Sequence, residues 1–366
     1  MATVLLARPY VRGASLVIRA ADVHGWGQSA AHLTVQPIEQ HDITIPTRYG
    51  SIPGREYRPT RRATQAVLLT TGVHALGIVE PRLVRLAREL SASGVIVVTP
   101  ELPSLKRYQL TSESTDMIED AGVWLSRRPN LGSIARPALM GISFSGGLSI
   151  VAAGRPALRD RLAYVFSFGG HADLPRVLQF LANEEDRARS PHDYGVAILL
   201  LNVVTQIDGF VPAPQVAPLA RAIETFLWAS RLTTIDQHAA DVEFEHARQL
   251  GRALPEPSAA LMKLVNDRDV KALGPRLLPY LAALGDDPAL SPERSPPPAA
   301  PVYLLHGRDD TVIPAEESRH LAQYLEGKAP VDLLVSGLLI HADAAGHPSI
   351  IDGWKLVAFW SRLLQE

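Results

Sequence analysis

Six short apolar runs recur along the chain, and segments of helical periodicity lie between them. The runs are AVLLTT (66–71), GVIVVTP (94–100), PALMG (137–141), LAYVFSFG (162–169), PVYLLHG (301–307) and VDLLVSG (331–337). Each is continuous and bounded by turn residues, the pattern of strands buried on both faces. Segments 80–93, 112–128, 315–327 and 350–364 read as helices. In the first of them Leu83, Leu86, Ala87 and Leu90 fall on one face with charges on the other. Strands that alternate with helices need crossover connections, so the chain is expected to form an α/β fold with a mostly parallel sheet flanked by helices. Two earlier segments, 42–48 and 54–59, read as a leading antiparallel pair.

The alternation stops between about 172 and 300. Segments 174–190 and 217–232 are helical in pattern, no strand is evident, and the stretch closes on the stiff connector SPERSPPPAAP (291–301). The expected organisation is an α/β core of residues 42–171 and 301–366, a helical cap at 172–300, and an N-terminal segment, 1–41, packing on the core. An insertion at that point overlies the carboxyl ends of the strands, where open α/β sheets bind ligands; a packing elaboration is the alternative. Its Phe180, Leu181, Phe226, Leu227 and Trp228 fit an apolar substrate group, or pack the cap onto the sheet.

Composition excludes several classes of function. Lys plus Arg is 36 and Asp plus Glu 38, a net charge of -2, which argues against bulk electrostatic binding to nucleic acid or anionic lipid. With no cysteine there is no disulfide framework, Cys-ligated zinc or thiol nucleophile, and a cytoplasmic location is expected. In residues 2–20, Arg8, Arg12 and Arg19 interrupt the apolar pattern. No run approaches the ~18–20 apolar residues of a membrane span, and the charges are interleaved rather than leading as in a signal peptide. This stretch reads as an amphipathic segment docked on the body, with a loose membrane or partner contact as the alternative.

The sharpest chemical signal is Gly141-Ile142-Ser143-Phe144-Ser145-Gly146-Gly147, which follows a strand and opens an apolar helix. Strand, tight turn with small residues around a serine, then helix is the nucleophile elbow. It lifts the serine oxygen over the sheet and aims the next backbone N–H groups at an incoming carbonyl oxygen. Ser143 fits the turn better, because the strand then ends at Met140-Gly141. Ser145 would fall in the first helical turn, an ordinary place for serine. A nucleophilic serine needs a base and an acid to orient that base, in the chain order Ser, acid, His. Asp309 and Asp310 follow the strand ending at His306-Gly307, and His341 and His347 follow the last strand. No phosphate-binding Gly-Lys loop, dinucleotide Gly motif or HExxH occurs. The sets His341/Asp343/His347 and His171/Asp173 are too loose to be read as metal sites.

From about residue 42 to its C-terminus the sequence resembles the α/β-hydrolase superfamily. The resemblance implies Asp310, the last carboxylate of His306-Gly307-Arg308-Asp309-Asp310, as the triad acid, with Asp309 as the alternative. It implies His341 as the base, with His347 as its rival, and His306 as support for the acid loop. It places the oxyanion hole at the Phe144 amide and at a second amide in the loop after the third strand. Many members carry His-Gly at that strand end, where this chain has Thr71-Gly72, so Val73 and His74 both stand as donors. The expected activity is hydrolysis of carboxylic esters of small molecules carrying an apolar group, through an acyl-enzyme and without a cofactor. An amide, lactone or thioester hydrolase with the same triad, and a hydrolase-shaped binding protein, are the alternatives.

Overall fold

A computed structural model describes residues 2–20, 35–132, 134–183, 193–233, 235–339 and 350–366. The six apolar runs are all strands, and the leading pair is present. The strands are β1 (Ile38–Thr47), β2 (Gly50–Pro59), β3 (Gln65–Thr70), β4 (Val95–Pro100), β5 (Ala138–Ile142), β6 (Val165–Phe168), β7 (Val302–Gly307) and β8 (Val331–Ser336). They form one sheet in the order β1-β2-β4-β3-β5-β6-β7-β8. β1 and β2 are antiparallel to each other and β2 is antiparallel to β4, whereas every pair from β4 to β8 is parallel. Strand order, parallel core and the serine turn after β5 together make this the α/β-hydrolase fold. β1 begins four residues before the apolar pattern, because Ile38–His41 pairs with β2 through residues that are mostly polar. β1 is also an edge strand; Glu39, Gln40, His41, Asp42 and Pro46 along it are exposed.

Helix α1 (Ala2–Ala20) lies against two others, α2 (Pro81–Ala92) and the C-terminal helix of the chain, Ile350–Leu363. Leu16 on it is fully buried and Gly13 packs on Ser361. Arg19 pairs with Glu89 at 3.0 Å. These helices cover one face of the sheet, sharing an apolar layer that includes Leu83, Phe166, Phe359 and Trp360. The opposite face carries α3 (Ser112–Ser126) and α4 (Phe144–Gly154). Arg48, in the β1–β2 turn, reaches Glu119 at 2.7 Å and Asp120 at 2.8 Å and fastens that hairpin to α3.

Between β6 and β7 the described residues contain helices and no strand: α5 (Leu174–Ala182), α6 (Asp193–Gln206), α7 (Ala213–Leu232), α8 (Gln237–Arg252), α9 (Ser258–Asn266), α10 (Val270–Leu277) and α11 (Leu281–Gly285). The helical pattern of 174–190 is a helix as far as Ala182, and residues 184–192 lie outside the described ones. Leu181, Phe226 and Leu227 are buried in the same apolar cluster as the α3/α4 face of the sheet, so these three pack the insertion on the core. The proline-rich connector also packs: it begins with a short 3-10 turn, Pro292–Arg294, and Pro296 lies against Gly154 at the end of α4. After β7 comes α12 (Ala315–Leu325), and after β8 the C-terminal helix, α13 (Ile350–Leu363). No helix among the described residues is long and apolar enough to cross a membrane.

Candidate active site

Ser143 stands between β5 and α4 with φ 57° and ψ -134°. A non-glycine residue rarely adopts this left-handed conformation, and the surrounding structure must hold it there. The Ser143 amide donates to the Phe168 carbonyl at 2.7 Å, and its own carbonyl accepts from Gly146 N at 2.8 Å. The turn is tight enough that a side chain at Gly141 would meet the Ser145 carbonyl, and one at Gly147 would meet the His171 ring. Phe144 opens the helix, where the first-turn amides have no intrahelical acceptor.

Ser145 occupies a different environment. It is fully buried, and its Oγ accepts from Ile142 N at 2.9 Å and from Thr70 Oγ1 at 3.1 Å. Its single proton has two carbonyls within reach, Thr70 O at 3.0 Å and Ile142 O at 2.9 Å. The hydroxyl folds back to tie β3 to the elbow, so a serine fits where the elbow ordinarily calls for glycine. Thr70 is buried beside it, with Oγ1 also 3.1 Å from Met140 O and 3.3 Å from Ser149 Oγ. Sequence reasoning did not single out Thr70, whose role arises between strands rather than along the chain.

The loop after β3 passes directly over the serine. A methyl group at Gly72 would lie 2.9 Å from Ser143 Cβ and 3.1 Å from Ile142 O. Val73 follows. The His74 amide is already committed, donating to Leu105 O at 3.2 Å. Its ring nitrogen Nδ1 accepts from Leu76 N at 3.1 Å. Burial pushes the His74 imidazole down to about 4, with Glu80 opposing that shift and Arg231 and Arg82 adding to it. Farther along, Ile78 N donates to Glu101 Oε2 at 3.1 Å, and Lys106 pairs with the other oxygen of that carboxylate. Glu80 caps α2 by accepting from Leu83 N at 2.7 Å. Burial alone would raise the Glu80 carboxyl, yet Arg82 and the Leu83 amide leave it below the usual carboxylate range. The Glu-Pro pair at 80–81 was a readable helix-start signal; Glu101 carried no local signal.

Asp310 is buried on the loop after β7 and Asp309 is exposed. Asp310 Oδ1 accepts from Val312 N at 2.9 Å and Ile313 N at 3.0 Å. Its Oδ2 lies 3.6 Å from His306 Nε2 and beside Gly169 at the end of β6. Asp310 therefore sits over the carboxyl end of the neighbouring strand, on the serine's side of the sheet. His306 is fully buried, with Nδ1 2.6 Å from Ser318 Oγ and Nε2 2.8 Å from Ile313 O, and so braces the acid loop. His341, His347 and Asp343 lie outside the described residues. His171 is fully buried, with Nε2 2.7 Å from Leu290 O, and Asp173 caps α5 and pairs with Arg294 at 2.6 Å. Among the described residues no group of three or more His, Asp or Glu side chains is arranged to hold a metal.

No protein-family model matches the chain, and no curated protein matches it. Among solved structures, it is similar to an esterase from Pyrobaculum calidifontis at 16% identity and a TM-score of 0.48, over 100% of this chain and 93% of that one. It is similar to an acylaminoacyl peptidase from Pyrococcus horikoshii at 12% identity and a TM-score of 0.49, over 93% of this chain and 43% of the other. A lipase in an open form aligns at 15% identity and a TM-score of 0.47, over 90% of this chain and 100% of the lipase.

Proposed function

We propose that the chain is a serine hydrolase of carboxylic esters, with Ser143 as nucleophile, His341 as general base and Asp310 as the acid that orients it. The observation that carries this reading is the backbone of Ser143. A serine held at φ 57°, at the junction of a central strand and a helix, occupies a conformation that costs of order 1–3 kcal/mol and that recurs where chemistry needs it. Ser145 is the weaker nucleophile because its hydroxyl is fully engaged within the turn.

In this reading Ser143 Oγ attacks the ester carbonyl while His341 takes its proton. The carbonyl oxygen becomes an oxyanion facing the amides of Phe144 and Val73. Of the two donors considered in the second loop, Val73 is preferred, since the His74 amide already binds Leu105. Collapse expels the alcohol, which receives the proton from His341. Water then resolves the acyl-enzyme by the same steps in reverse order of roles. The helical insertion at 172–300 acts as a cap over the site, and an apolar acyl or alcohol group fills the space beneath it.

Covalent labelling with a fluorophosphonate, followed by mapping of the modified peptide, tests the assignment. The expected result is one adduct, on Ser143, lost in Ser143→Ala with the fold retained. An adduct on Ser145 would overturn the nucleophile. No adduct on folded protein, with no turnover of short- or medium-chain esters, would favour a binding protein of hydrolase shape.

A further inference from the structure

We propose that the imidazole of His74 is a specificity residue, whose Nε2–H binds a second acceptor oxygen carried by the substrate beside the scissile ester. The inference rests on the ester-hydrolase reading and narrows its substrate class to oxygenated esters: hydroxy, alkoxy or oxo compounds rather than plain alkyl ones.

Three observations lead to it. The first is the tautomer. Nδ1 accepts a hydrogen bond from Leu76 N at 3.1 Å, so a neutral ring carries its proton on Nε2, and burial keeps the ring neutral. The second is that this donor meets no acceptor among the described residues. His74 is 8% exposed, and Nε2 is buried with no hydrogen-bond partner among the described residues. A buried donor without an acceptor is costly, which makes such groups stand out where a ligand supplies the missing oxygen. The neighbouring carboxylate does not satisfy it, because Glu80 is taken up by Leu83 N and Arg82. The third is position. His74 is two residues beyond Gly72, which packs on Ser143. Arg231 of α7 comes within 3.6 Å of Glu80, and both act electrostatically on the His74 imidazole, so the residue lies near the meeting of the core loop and the insertion.

The ring is oriented by the Leu76 N bond to Nδ1, and the backbone of His74 is held on both sides. The His74 amide is held by Leu105 O, and its carbonyl accepts from Gly77 N at 2.9 Å. Arg82 and Arg231 both meet the carboxylate of Glu80 here.

The test compares p-nitrophenyl pentanoate with its analogue bearing an ether oxygen in place of the methylene at C3 or C4 of the acyl chain. Each kcat/KM is divided by the rate of alkaline hydrolysis of the same ester. The expected result is that wild type favours one ether ester, that His74→Leu lowers this preference about tenfold, and that His74→Gln, whose amide N–H approximates Nε2, restores much of it. Circular dichroism of both variants establishes that they are folded. Turnover with equal preference in wild type and His74→Leu overturns the His74 assignment and leaves the hydrolase intact. Folded wild type that neither hydrolyses any of the esters nor takes the fluorophosphonate overturns the hydrolase reading, and this inference with it.

Discussion

At the scale of single residues, the elbow divides its two serines by what their hydroxyls touch. Ser145→Ala removes a buried group that serves Ile142 N and Thr70. It is expected to cost about 1–3 kcal/mol in urea unfolding while leaving fluorophosphonate labelling in place; loss of labelling in a folded Ser145→Ala protein would contradict the proposed roles. His74 makes a second expectation, in pH. Burial holds its folded pKa at about 4, from an ordinary value of 6.5. As pH falls below 6.5 the unfolded chain binds a proton that the folded one refuses, so stability declines between pH 6.5 and 4, by on the order of 2–3 kcal/mol. Glu80, whose folded pKa is depressed, adds to the loss below 4.5, and His171, lowered by its own burial, acts in the same direction as His74. Unfolding followed at pH 7 and 4.5 should show a smaller decline in His74→Leu than in wild type, and an equal decline would trace the effect elsewhere. The serine turn was legible because its demands are local: small residues, a strand before, a helix after. Thr70 and Glu101 were not, because each acts on backbone that only the fold brings near.

At the scale of elements, the N-terminal helix shows how an unremarkable sequence becomes structure. Three arginines break its apolar pattern, yet Arg19 meets Glu89 and its Nη2 donates to Ser93 Oγ at 2.8 Å, while Arg12 donates to Ser93 O at 2.8 Å. Two of the charges that count against a membrane span, Arg12 and Arg19, thus fasten α1 to α2 and the turn after it. Leu16 is fully buried between them, so Leu16→Ala should cost about 2–5 kcal/mol in urea unfolding. A cost below about 1 kcal/mol would mean that α1 is dispensable packing. Strand and helix positions were readable from periodicity because sheet and helix each repeat along the chain. The first residues of β1 were not, since an edge strand buries little and keeps its polar side chains in water.

At the scale of the whole molecule, the helical insertion and the core share one apolar cluster. Side chains of α5 to α11 are continuous with those of α3, α4 and the inner strands. A segment joined in this way has no separate core to melt. Loss of far-ultraviolet ellipticity and the shift of tryptophan emission should therefore coincide in denaturant. Two resolved transitions would show that the insertion unfolds by itself. The interruption at 172–300 was visible as a break in alternation, but its fusion with the sheet depends on contacts between residues far apart in the chain. The β1 edge of that sheet has its own consequence. A ten-residue outer strand offers a row of backbone groups to any passing chain, a template for fibrous aggregation. On β1 that offer is blunted by the exposed carboxylates of Glu39 and of Asp42, the latter paired with Arg55 at 2.8 Å, and by Pro46, which has no N–H to give. These three residues make β1 a poor template for a second copy of the chain.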